Sequence, residues 1–228
     1  MKFEGRHMTW AWLATAVLFF AFGIQSATAA IGTIIGSKHD FSATGTSDFA
    51  GTTTQVCVYC HAPHASTTAT PLWNHTASTA TYTMYSSPTL DAVMGTAPGN
   101  TSKLCLSCHD GTVAIDSFGG NTAPTGVKLT ASNPKNLGTS LANDHPIGFA
   151  YDATLVGKDA GLADPVAKSV TIGTANTGTI ATKMLIAGQV ECASCHDVHN
   201  STAGTAQESK LLRITSTGSA ICLACHNK

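Results

Sequence analysis

The chain has 228 residues, 12 Lys and Arg against 13 Asp and Glu, and only 11% charged residues in all. No basic stripe or patch is present, which argues against nucleic acid as a partner. Threonine, serine, alanine and glycine dominate the long interior stretches and no long amphipathic periodicity runs through them, so an ordinary core of packed helices is not expected.

Lys2, Arg6 and His7, partly offset by Glu4, precede an apolar run from Trp10 to Ile24 and a small-x-small site at Ala27-Thr28-Ala29. This is the layout of a secretory signal peptide over 1–29, with an apolar run too short for a spanning helix. No second run of spanning length follows, so residues 30–228 are expected as one secreted domain without a membrane span. Loss of the leader takes the charged residues from 12 basic and 13 acidic to 10 and 12.

Residues 30–56 read as an extended arm carrying His39. Residues 57–110 hold two cysteine pairs and a loop around Pro71-Leu72-Trp73-Asn74. Residues 111–191 form a Gly- and Thr-rich excursion. Its later part, Val170-Thr171-Ile172 and Thr182-Lys183-Met184-Leu185-Ile186, has strand character with a turn between. Residues 192–228 hold two further cysteine pairs. The predicted fold is mostly irregular coil, with short helical turns at the cysteine pairs and a few short β-strands.

All eight cysteines fall into four segments of one form. These are Cys57-Val58-Tyr59-Cys60-His61, Cys105-Leu106-Ser107-Cys108-His109, Cys192-Ala193-Ser194-Cys195-His196 and Cys222-Leu223-Ala224-Cys225-His226. Cys-x-x-Cys-His is the attachment signature of c-type haem. Residues three and four apart share one face of a helical turn. The two sulfurs can therefore bond one haem edge while the histidine reaches the iron as proximal ligand. A redox disulfide or a zinc site would not require a histidine after every second cysteine. The expected cofactor complement is four haems c, organising a fold in which the polypeptide wraps a haem core.

Of the 10 histidines, four are proximal and His7 lies in the leader. His39, His64, His75, His145 and His199 remain as distal candidates. Mature methionines number only three (Met84, Met94, Met184), too few for the rival His/Met ligation. His64 and His199 each stand three residues after a proximal histidine, turned toward a neighbouring haem. Asp144 could orient His145. The metal-ligand set is therefore read as His61, His109, His196 and His226 with His39, His64, His145 and His199, and His75 is read as a hydrogen-bonding loop residue.

The runs Cys-Val-Tyr-Cys-His-Ala-Pro-His, Pro-Leu-Trp-Asn, Lys103 to Gly111, Asp144 to Phe149 and Val190 to Asp197 resemble the multihaem cytochromes of metal-reducing bacteria. The motif count and size resemble the tetrahaem members that polymerise into extracellular filaments. The resemblance implies bis-histidine haems in a continuous stack, electron transfer rather than enzymatic activity, and redox proteins or an extracellular metal or electrode as partners. A filament subunit is the leading expectation, with a monomeric periplasmic or surface shuttle as alternative and a haem reductase behind both. A homopolymer sharing one histidine between subunits, His39 or His64, is expected from the reach of the arm and from the position of the last motif. Mass spectrometry of the secreted protein is expected to show four haem additions on a chain starting near Ala30; three or fewer in fully matured material would contradict the motif reading.

Overall fold

The computed structural model describes residues 34–62, 64, 71–120, 125–173, 175–199 and 210–227. The leader at 1–29 lies outside the described residues. The architecture is mostly coil. Helices α1 (Asn100–His109), α2 (Ala153–Lys158), α3 (Ile180–Lys183), α4 (Cys192–Cys195) and α5 (Ala220–Leu223) are joined by two strand pairs and many turns.

Strands β1 (Phe149–Ala150) and β4 (Gln189–Val190) pair antiparallel, Phe149 opposite Val190. Strands β2 (Ser169–Ile172) and β3 (Asn176–Thr179) form an antiparallel hairpin, Val170 opposite Gly178. The first predicted strand is therefore present, but its partner is not Thr182 to Ile186. Thr179 caps a helical turn instead: its hydroxyl accepts from Thr182 N–H at 3.3 Å, and the Thr182 hydroxyl accepts from Thr179 N–H at 3.0 Å. This reciprocal cap starts α3. Ile180 and Met184, four apart, then share one face and are both buried.

A second departure concerns the arm, which is not extended from residue 34 onward. Asp40 accepts from Gly36 N–H at 2.9 Å and from the Ser42 hydroxyl at 2.6 Å, and Ala43 N–H donates to Thr53 O at 2.8 Å. The aromatic rings give the reason. Phe41 and Phe49 meet Tyr59 edge-on with centroids 5.7 and 6.3 Å apart, and burying them outweighs the freedom of an open arm. Gly51 permits the closure, since a Cβ there would collide with the Tyr59 hydroxyl.

Apolar side chains gather in three clusters. The largest joins Phe149, Tyr151, Leu155, Val170, Ile172, Ile180, Met184, Val190 and Ala224. The chain thus has a modest apolar core of its own in its C-terminal half, which composition alone did not suggest. Smaller clusters centre on Tyr59 with Phe49 and Ile115, and on Leu106 with Tyr82 and Leu141. Ile180 is fully buried. Ile180→Ala is expected to destabilise the folded protein by about 2–5 kcal/mol, read as a lower denaturant midpoint with an unchanged slope.

Candidate functional site

Each Cys-x-x-Cys-His segment is a single helical turn. His61 N–H donates to Cys57 O at 2.9 Å, His196 N–H to Cys192 O at 3.0 Å and His226 N–H to Cys222 O at 2.9 Å. The second segment is the C-terminal end of α1, stopped by Gly111 at φ 71°, whose N–H donates to Cys108 O at 3.1 Å. The third is α4, begun by a capping box between Glu191 and Ser194. Helical spacing of three and four residues puts the two cysteines and the histidine of such a turn on one face.

Three of these imidazoles are also held from behind. The Nδ1–H of His61 donates to Pro71 O at 2.7 Å, that of His109 to Lys135 O at 2.8 Å and that of His196 to Lys210 O at 3.0 Å. A carbonyl can only accept, so these bonds put the proton on Nδ1 and leave the Nε2 lone pair for a metal. His145 is held the same way, by Pro146 O at 2.9 Å. The backbone, rather than Asp144, fixes its tautomer.

Second imidazoles stand opposite three of the four. His199 faces His61 with ring centroids 6.0 Å apart and planes 13° from parallel. His39 faces His109 at 6.0 Å, and His145 faces His226 at 6.5 Å. A metal–imidazole bond of about 2 Å, plus the radius of each ring, puts two imidazoles that share one ion roughly 6 Å apart. The observed spacings fit that requirement. His39 fits chemically as well. Burial, reinforced by the nearby imidazoles of His109 and His196, lowers its pKa to about 4, which keeps the ring in the neutral, ligating form. Its Nδ1 is buried without a hydrogen-bond partner.

The remaining candidates differ. His75 is only 2% exposed, with Nδ1 2.8 Å from Thr76 O and Nε2 3.0 Å from Ala114 O and 3.4 Å from Cys108 Sγ. A neutral imidazole has one N–H and donates to only one of these two carbonyls, which leaves its other nitrogen as a lone pair. His64 is exposed, and among the described residues no imidazole stands opposite His196.

Residues 185–228 match the family model described as the doubled CXXCH motif. The match covers 44 of the 228 residues, and that segment is similar to the paired haem-attachment motifs of multihaem c-type cytochromes. The matched segment holds Cys192, Cys195 and His196 together with Cys222, Cys225 and His226, the residues that would bind two neighbouring haems. No curated protein matches the chain. All eight cysteines are free, and among the described residues no three His, Cys, Asp or Glu side chains converge as a bare metal-ion site. When bound, haem iron supplies one-electron redox chemistry.

Two polar networks brace the chain's motifs, and motif spacing did not reveal them. Helices α1 and α4 pack together, which places the second motif beside the third. The buried Ser102 hydroxyl donates to the Glu191 carboxylate and accepts from Cys192 N–H at 3.0 Å. Gly99 leaves room for that carboxylate, which a Cβ would strike. Behind His109, buried Asp110 accepts from the Tyr82 hydroxyl at 2.6 Å and from Thr112 N–H at 2.7 Å. Burial and this carboxylate together push the Tyr82 pKa up to about 12. The sequence signal for both networks is an acidic residue directly flanking a motif. Ser102→Ala leaves Glu191 buried and short of a donor, with an expected cost of about 1–3 kcal/mol, measured by guanidinium unfolding of the haem-loaded protein.

Proposed function

We propose that the protein carries electrons through four covalently attached, bis-histidine haems, as a secreted subunit of an extracellular conducting filament. The observation that carries this reading is the set of three imidazole pairs at 6.0–6.5 Å, each joining a motif histidine to a histidine from another part of the chain. An iron held between two imidazoles has no open position. It exchanges electrons with little rearrangement, and its potential stays below that of His/Met ligation. Substrate chemistry would need a vacant site, so a haem reductase is the weakest reading.

The packing of α1 against α4 supports conduction, because it brings the second and third motifs together. Polymerisation rests on the resemblance of the motif runs to filament-forming tetrahaem cytochromes. Copies joined head to tail make an interface that need not close on itself and so extends. A monomeric shuttle is the second reading. It is favoured by the supply of histidines, since five non-proximal ones follow the leader for four motifs, enough for a single chain to close every pair itself. The expected acceptors are redox proteins or an extracellular metal or electrode.

Electron micrographs of secreted protein decide between the two readings: filaments support the conduit, and dispersed particles at every concentration support the shuttle. Electron paramagnetic resonance of the oxidised protein is expected to show low-spin iron. A major high-spin signal in assembled material would favour an enzyme.

A further inference from the structure

The segments around the first and third motifs are built alike. In the first, His61 Nδ1–H donates to Pro71 O, the next residue Leu72 sits at φ 61°, and His61 bridges antiparallel to Trp73. In the third, His196 Nδ1–H donates to Lys210 O, the next residue Leu211 sits at φ 54°, and His196 bridges to Leu212.

The flanking backbone bonds correspond one to one. Ala62 N–H donates to Leu72 O at 3.0 Å and Asn74 N–H to Cys60 O at 2.9 Å. Asp197 N–H donates to Leu211 O at 2.7 Å and Arg213 N–H to Cys195 O at 2.9 Å. A left-handed leucine is unfavourable, and finding one at the same step of both clamps marks a repeated unit rather than a coincidence of loops. Each unit also carries a second histidine three residues after its proximal one, His64 and His199.

His199 of the third-motif unit stands opposite His61 of the first-motif unit, nearly parallel to it. When two equivalent units exchange an element about a two-fold relation, contact of i with j implies contact of j with i. The counterpart of the observed pair would be His64 opposite His196. His39 and His145 already face motif histidines, which leaves His64 and His75, and of these only His64 belongs to the repeated unit.

We infer that His64 is the distal ligand of the iron held by His196, in the same molecule, so that the first and third motifs exchange ligands reciprocally. This deepens the haem reading above and rests on it. With it all four imidazole pairs close inside one chain, and copies would meet through haem edges and protein surface rather than through a shared ligand.

The test uses dispersed, haem-loaded protein, with electron paramagnetic resonance counting high-spin iron and mass spectrometry counting haems. Wild-type monomer is expected to show no high-spin iron. His64→Ala is expected to retain four haem additions with one iron in four high-spin, returning to low-spin on addition of imidazole. His199→Ala should give the same fraction from a different iron, the double variant two in four, and His75→Ala none. An entirely low-spin His64→Ala monomer would overturn the assignment. So would a wild-type monomer with one high-spin iron in four that disappears on assembly, since that ligand comes from another copy. If His64→Ala fails to mature, His64→Met supplies a weaker ligand, and one of four potentials should rise; four unchanged potentials would refute the inference. Absence of haem additions on the wild-type chain would overturn the haem reading itself, and this one with it.

Discussion

Everything in this molecule hangs on the bond from a motif imidazole to a distant backbone carbonyl. The turn that places two sulfurs and a histidine on one face is short, and a turn of four or five residues has little stability alone. What holds it is a loop from elsewhere in the chain, which lays Pro71, Lys135 or Lys210 carbonyls against the imidazole Nδ1–H. That one contact fixes the ring's tautomer, aims Nε2 and ties the loop down. The irregular segments therefore have a defined task even though they form no helix or sheet.

Around this contact the chain uses buried polar groups where an ordinary domain would use apolar ones. Glu191 with Ser102 and Asp110 with Tyr82 are each buried and hydrogen-bonded. Such networks are directional, and a satisfied one specifies a single arrangement more sharply than interchangeable methyl contacts do. The cost of leaving any member unpaired is correspondingly high. Positions such as Gly99 and Gly51 serve the same end by allowing close approach.

Much of the candidate site was legible because its chemistry demands fixed local spacing. Cys-x-x-Cys-His can be read from five residues, and the histidines of Cys-His-Asp-Val-His and Asp-His-Pro stood out by context. The partners of those histidines were not legible. His199 faces His61 and His145 faces His226 across large separations in sequence that no local pattern encodes. The coil-rich architecture followed from composition. The strand expected at Thr182 to Ile186 did not, because a threonine cap at Thr179 turned an apolar run with strand propensity into a helical turn. The arm departs from the expectation for a related reason: Phe41 and Phe49 look isolated in sequence, and only the fold brings Tyr59 and Ile115 to bury them against.

The positions of the paired histidines along the chain also set a timetable. On the secreted, four-haem reading proposed above, a polypeptide exported from its N-terminus would present His39 before the second motif and His145 before the fourth, so those two irons would acquire both ligands as soon as their cysteines emerged. The first motif would wait, because His199 arrives only with the third. Until then an iron held by His61 would have one protein ligand and an open face. The first haem would then be the one exposed to stray ligands and oxygen, and its closure would mark the moment at which the two halves of the chain are locked together.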